Sequence, residues 1–381
     1  MKVFLDCSLL SIGGGVQVGL SIIQNLANDP EFEVIVAASP QIDQQLSHEI
    51  KSSFIAYKMF ENVSILNKVK QGKQLAAFEE VYKPDLTFCV FGPVYWKPKA
   101  KFLQGFALPK MLYPEARKNY PSKLDKIKEE IVDSVKALFF KKNSEYIVVE
   151  TEIFKSRLLQ KFKFDLEKVF VVRNSYSPAF QQAIIENKQS IFPEDGQINI
   201  FVPGGYYRHK NYESLPKIAA ELLKIYQQKS FCFYLSLDPA SHGWLNILKL
   251  ATDLNVTDHV KTLGHIPNSE IAKVYLRSHI IMSLSSAEAS TAVYPEAMCA
   301  RRPLIISDTD FAHASCGNAA LYVDPFNPAE IAEKIFYLSS HSELVSELVE
   351  NGEEIFTKNY PDPAAKWKQQ RELLIKLANT P

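Results

Sequence analysis

The chain has 381 residues, enough for two domains of ordinary size, each with its own core. Hydrophobic residues make up 46% and charged residues 23%, which excludes a disordered or fibrous chain, and 43 Lys plus Arg against 43 Asp plus Glu leave no global field for nucleic acid. Five widely spaced cysteines, Cys7, Cys89, Cys232, Cys299 and Cys316, contain no Cys-x-x-Cys; they exclude a disulfide framework and point to buried thiols in a reducing compartment.

The first predicted strand, 2–7, is too short and too soon interrupted by Asp6 to serve as a secretion signal, and no stretch approaches a membrane span. The expectation is a cytoplasmic protein, at most peripheral at the inner face of a membrane. Gly13-Gly14-Gly15 follows this strand and opens a helix over 16–26. Glycines there serve either a tight strand-to-helix turn or the close approach of backbone N–H groups to a ligand. The run is not Gly-x-Gly-x-x-Gly and no acidic residue closes the next strand, so a nicotinamide or flavin fingerprint is absent. Further strands are predicted at 33–38, 86–91, 102–106, 146–149 and 169–172. Between 97 and 142 basic residues outnumber acidic ones about two to one, with apolar residues interleaved. That stretch reads either as a solvated helix face or as a contact for anionic lipid head groups or a lipid-phosphate acceptor.

A boundary is marked by Asn174-Ser175-Tyr176-Ser177-Pro178 and by a polar stretch that runs to Pro193-Glu194-Asp195-Gly196. Strands resume at 198–202, 231–237, 260–263, 280–284, 304–306 and 320–323. Short strands alternating with amphipathic helices predict parallel sheets covered by helices, here two doubly wound sheets of about six strands each. Pro203-Gly204-Gly205-Tyr206-Tyr207-Arg208-His209-Lys210-Asn211 follows the first strand of the second half and precedes a helix predicted over 211–226. Arg208 and Lys210 at a helix start suit a diphosphate, which charge-assisted hydrogen bonds would hold. The segment 283–298 gives a strand, a polar turn and a helix whose N-cap is Ser290 or Thr291 and whose first turn holds Pro295. Glu288 and Glu296 flank that anion-binding turn; they would repel a phosphate and suit the hydroxyls of a sugar and a ribose. Tyr360-Pro361-Asp362-Pro363 breaks a helix, and 364–378 forms a last one with Trp367, Leu373, Leu374 and Leu377 as its apolar stripe. The eight histidines show no metal-ligand spacing, and no Gly-x-Ser-x-Gly elbow occurs, so neither a metal centre nor a hydrolase triad is expected.

The pair Glu288 and Glu296, with Glu296-Ala297-Met298 and the Pro303-led apolar strand behind it, resembles the Glu-x7-Glu signature of retaining GT-B glycosyltransferases, especially the large family four of nucleotide-sugar transferases. Asn318-Ala319-Ala320-Leu321-Tyr322-Val323-Asp324-Pro325 extends the likeness. The resemblance implies an α/β GT-B architecture of two Rossmann-like domains facing a cleft. Residues 1–178 would form the acceptor-side domain, 179–196 a linker, 197–358 the nucleotide-sugar domain, and 359–381 a final helix crossing back to the first domain. It implies Glu288 on the donor sugar, Glu296 on the ribose, Lys210 on the phosphates, and Arg208 in place of the arginine that many members carry where Gly204 stands. Gly14 and Gly15, the backbone near Ile266, and Ser290, Thr291 and Ala292 complete the implied donor site. Ala289-Ser290-Thr291 replaces the Gly-Phe-Gly that often follows the first Glu, and no histidine stands in 102–109 where members often carry one. The implied partners are a nucleoside-diphosphate sugar and a glycan or lipid-linked acceptor in surface polysaccharide synthesis, with no cofactor and no metal. A GT-B epimerase, a phosphorylase or a non-catalytic binding protein are the competing readings.

Overall fold

The computed structural model describes residues 1–11, 13–120, 122–180, 196–226 and 230–380. The expected linker at 179–196 lies almost wholly outside them. The chain divides into two compact units: Met1–Leu112 with Ser122–Arg173 and Ala364–Pro381, and Tyr113–Pro121 with Asn174–Pro363.

The first unit holds a seven-stranded sheet of order β3-β2-β1-β4-β5-β6-β7, all parallel, from β1 (Lys2–Cys7), β2 (Glu33–Ala38), β3 (Ala56–Met59), β4 (Leu86–Cys89), β5 (Lys101–Gly105), β6 (Tyr146–Val149) and β7 (Val169–Val171). β1 is central because both of its faces are apolar. Val3, Leu5 and Cys7 join a core with the helix Gly14–Ala27, while Phe4 on the opposite face packs with Leu75 and Trp96. The last helix, Pro363–Ala378, places Leu373, Leu374 and Leu377 in the first of these cores, and Trp367 packs against it. β3 is absent from the sequence reading for a physical reason: this edge strand, Ala-Tyr-Lys-Met, is half-exposed along its length and shows no apolar alternation.

The second unit holds six parallel strands, β8 (Ile198–Val202), β9 (Phe231–Leu235), β10 (Val260–Thr262), β11 (Ile280–Ser283), β12 (Leu304–Ser307) and β13 (Ala320–Val323), in the order β10-β9-β8-β11-β12-β13. Ile198, Ile200 and Val202 on β8 share a core with Leu215, Ile218, Ala219 and Leu222. The helix expected from 211 begins at Leu215 instead. Pro216 presets the backbone of its first turn, and Asn211, left-handed at φ 58°, interrupts the chain before it with two short 3-10 turns, Arg208–Lys210 and Tyr212–Ser214. Arg208 and Lys210 are therefore presented by a tight turn rather than by a helix start. All five cysteines are buried and free, and among the described residues no helix is long and apolar enough to cross a membrane.

Leu374→Ala empties a fully buried position of the first unit. Its expected cost is about 2–5 kcal/mol, read from urea unfolding, with the midpoint falling and the slope unchanged.

Candidate active site

Parallel strands carry all their carboxyl ends to one edge, and in the second unit the order turns between β8 and β11. Loops leaving two such neighbours part company and leave a crevice for a ligand. The loop after β8 carries Gly204, Arg208 and Lys210; the loop after β11 carries Glu288 and leads to Glu296. A backbone latch ties them, because the Ser286 N–H donates to the His209 carbonyl at 2.8 Å and the Ser286 hydroxyl donates to the same oxygen at 3.3 Å. Beside the latch, Lys210 Nζ donates to Glu288 Oε1 at 2.5 Å, with both side chains only about one-tenth exposed (11% and 10%).

Several contacts hold the Lys210 turn. Asn211 donates from Nδ2 to the Pro325 carbonyl, its own carbonyl accepts from the Ser214 hydroxyl at 2.7 Å, and the Tyr212 hydroxyl donates to the Pro203 carbonyl at 2.9 Å. Gly204 sits at φ +115°, a conformation that side chains with a Cβ rarely adopt, and a Cβ there would lie 3.9 Å from Lys210 Cε. The Arg208 guanidinium stands 5.6 Å from the centre of the Tyr120 ring, a cation–π arrangement. Glu288 marks its surroundings: burial first and its negative charge second raise the Tyr207 and Tyr212 phenols above their usual range.

Beyond Glu288 the chain turns into the helix Val293–Cys299. The N-cap is Ala292, one or two residues later than expected, although the Thr291 hydroxyl still accepts from the Val293 N–H at 3.3 Å. The backbone N–H groups of Ser290, Thr291 and Ala292 find no acceptor among the described residues and lie half-exposed. Three adjacent free donors favour an anion. Glu296 follows on the helix, and burial pushes its carboxyl up to about 7. The Tyr275 hydroxyl and the Ser177 backbone N–H oppose that rise. The hydroxyl makes no regular hydrogen bond, so its influence is that of a nearby dipole.

The structure thus gathers Lys210, Glu288 and Gly204 in one cluster, with Arg208 on the same turn and Ser290 to Glu296 on the next stretch of chain. Ile266 stands two strands away, partly buried in the loop after β10, behind Gly264 at φ +74°. Gly14 and Gly15 belong to the first unit, where they start the helix Gly14–Ala27 after Gly13 at φ 62°. Sequence reasoning missed Ser286, Asn211, Tyr275 and Tyr120. The first two act through backbone or amide contacts that leave no distinctive pattern in the sequence, and Tyr120 is remote in the chain. Among the described residues no group of three or more His, Cys, Asp or Glu is placed to hold a metal ion.

Residues 184–355 match the family model described as glycosyl transferases group 1. That match spans a little under half of the chain. A curated relative, the O-antigen chain mannosyltransferase RfbU of Salmonella typhimurium, is 23% identical over 185 residues; the match covers 48% of each protein, so the chain spans about half the length of this relative. Among solved structures, sucrose-phosphate synthase from Thermosynechococcus elongatus is similar with a TM-score of 0.74 at 17% identity, covering 99% of both chains. Anabaena HepE in complex with UDP-glucose is similar at 0.70 and 14% identity, covering 99% of this chain and all of that one. At such identities the likeness speaks for the fold, which is GT-B over the whole chain. The matched residues contain the whole Lys210–Glu288–Glu296 cluster.

Two predictions arise from this cluster. Lys210→Ala leaves the buried Glu288 carboxylate unpaired and is expected to cost about 3–5 kcal/mol in urea unfolding, whereas Lys210→Met with Glu288→Leu restores most of that stability. Glu296 has a folded-state pKa raised from 4.5 to about 7, so the stability tied to its neutral form is complete below the ordinary Glu value and is lost as pH rises through about 7. Melting temperatures of Glu296→Gln and the parent protein should accordingly diverge from pH 5 to pH 8, with the variant ahead at the upper end.

Proposed function

We propose that the protein is a retaining glycosyltransferase that moves a sugar from a nucleoside-diphosphate donor to an acceptor hydroxyl. The observation that carries this reading is the buried Lys210–Glu288 pair beside the free N–H groups of Ser290, Thr291 and Ala292. A cation and three amide donors suit a diphosphate; the carboxylates suit hydroxyls. The group 1 match supports transfer, HepE was solved with UDP-glucose, and the name of RfbU points to surface polysaccharide. The reading includes a cytoplasmic location and peripheral contact of the basic 97–142 stretch with a membrane that offers a lipid-linked acceptor.

In the reaction, the bond from the anomeric carbon to the diphosphate oxygen breaks and its electron pair leaves with the diphosphate. Lys210, Arg208 and the amides at 290–292 stabilise that growing charge, so the chemistry needs no metal ion. Glu288 orients the donor-sugar hydroxyls and offsets positive charge on the ring, and Glu296 accepts from the ribose hydroxyls. The acceptor oxygen bonds to the anomeric carbon on the face the diphosphate vacates. Its proton passes to the departing phosphate oxygen, giving retention. Gly14 and Gly15 offer backbone to the donor, with Ile266 at the base.

Thermal shift with a panel of nucleoside diphosphates identifies the donor, since ligand at about a hundredfold its Kd adds about 2.7 kcal/mol of stability. Product analysis by chromatography and NMR then tests transfer, anomeric configuration and persistence of turnover in chelator. Inversion, or a changed nucleotide sugar released without acceptor, overturns the reading; so does the absence of any donor hydrolysis or transfer. Glu288→Gln is expected to lower kcat about a hundredfold to a thousandfold, roughly 3–4 kcal/mol. Glu296→Ala should weaken nucleoside diphosphate binding by about 1.5–3 kcal/mol. Gly14→Ala is a cleaner probe of the first unit. No atom lies within 4 Å of the added methyl, so the fold is untouched while donor affinity falls.

A further inference from the structure

The helix Lys123–Asn143 has two contrasting faces. One is turned to the protein and buries Phe140 with Asp133 and Asn143. The other is bare: Leu124 is 70% exposed, Ile127 53%, Ile131 60% and Leu138 70%. At about 100° per residue these four side chains fall within an arc of about 60°, opposite the buried side. Leu124, Ile131 and Leu138 recur at seven-residue intervals, so the stripe runs nearly the length of the helix. Exposed apolar residues scattered singly need no account, but a continuous stripe does.

The charges are sorted about this stripe. Lys128 and Lys142 border one side and Lys123 and Lys141 the other; all four are exposed, and none is held by an ion pair among the described residues. Asp125, Glu129 and Asp133 lie toward the protein, where Glu129 pairs with Lys110. Only Glu130 stands at the outer edge. A helix that shows apolar residues at its crest and ammonium groups along both flanks matches a surface whose interior is apolar and whose rim is negative.

We propose that this face docks on an anionic lipid surface, with the helix lying in the plane of the head groups, the four apolar side chains inserted and the four lysines on lipid phosphates. A second copy of the chain is the competing occupant, because a seven-residue apolar repeat also suits a helix partner. Charge decides against it. Both flanks are basic, so a parallel or antiparallel pair would set lysine against lysine, with a single Glu130 to offset four of them. The inference deepens the proposed function, which calls for a lipid-linked acceptor, but its test uses neither donor nor acceptor.

The full chain is sedimented with vesicles of phosphatidylcholine carrying about one-third phosphatidylglycerol, and with phosphatidylcholine alone, in about 0.1 M salt. Binding is expected to the anionic vesicles and to weaken at least tenfold on pure phosphatidylcholine. Ile131→Glu, at an exposed position with an unchanged melting temperature, should lower partitioning at least tenfold. Lys128→Gln with Lys142→Gln should lower it further toward the neutral-lipid value, about fivefold per lysine. Equal binding of Ile131→Glu and parent protein, or no preference for anionic lipid, overturns the proposal. So does a dimer in analytical ultracentrifugation that Ile131→Glu dissociates, which assigns the stripe to a second copy. Loss of glycosyl transfer with vesicle binding intact overturns the function alone.

Discussion

A lysine and a glutamate that are nearly shut away from water, Lys210 and Glu288, govern the second unit's carboxyl edge. Desolvating either charge alone is expensive, and the pair is tolerated only because each neutralises the other at hydrogen-bonding distance. Everything nearby keeps them in register. The Ser286 latch fixes the two loops, Asn211 turns the chain left-handed so that Lys210 points back, and Gly204 supplies a backbone angle and an empty space that a larger residue would deny. In the proposed reaction a diphosphate would find a cation already desolvated and oriented, with little left to reorganise.

Glu296 sits on the same stretch of chain under opposite terms. Among the described residues no cation pairs with it, and burial pushes its carboxyl up to about 7 instead. Two glutamates eight positions apart in number thus meet burial differently, because one was given a lysine partner and the other was not. In the proposed reaction, ligand hydroxyl groups would supply hydrogen-bond donors to Glu296, whereas Glu288 would have to release part of its hold on Lys210 to engage a sugar.

Much of the fold was legible because parallel strands buried on both faces announce themselves as short apolar runs. β1, β2, β6, β8 and β13 stand at the expected residues, β5 is shifted by one, and the other expected strands differ by one or two at one end. β3 escaped because an edge strand has water on one side and no pattern to show. The helix start at Leu215 was misjudged because Lys210 and Asn211 looked like an entry, whereas Pro216 is the residue that sets it. In the candidate site, Lys210 and Glu288, singled out from the chain by their charge, are brought together by the fold. The parts that aim them could not be read from the chain, since a carbonyl on His209 or Pro325 carries no side-chain signal, and Tyr120 reaches Arg208 from a segment whose local sequence gives no hint of it.

The first unit is built from pieces at both ends of the chain, with the whole of the second unit made in between. Leu373, Leu374 and Leu377 complete a core begun by Val3 and Leu5. On the ribosome, therefore, the opening half emerges with an apolar groove that stays uncovered until nearly two hundred further residues have been translated, and the second unit is free to reach its native state before the first. A truncation before Pro363 would leave the same groove open in the finished protein.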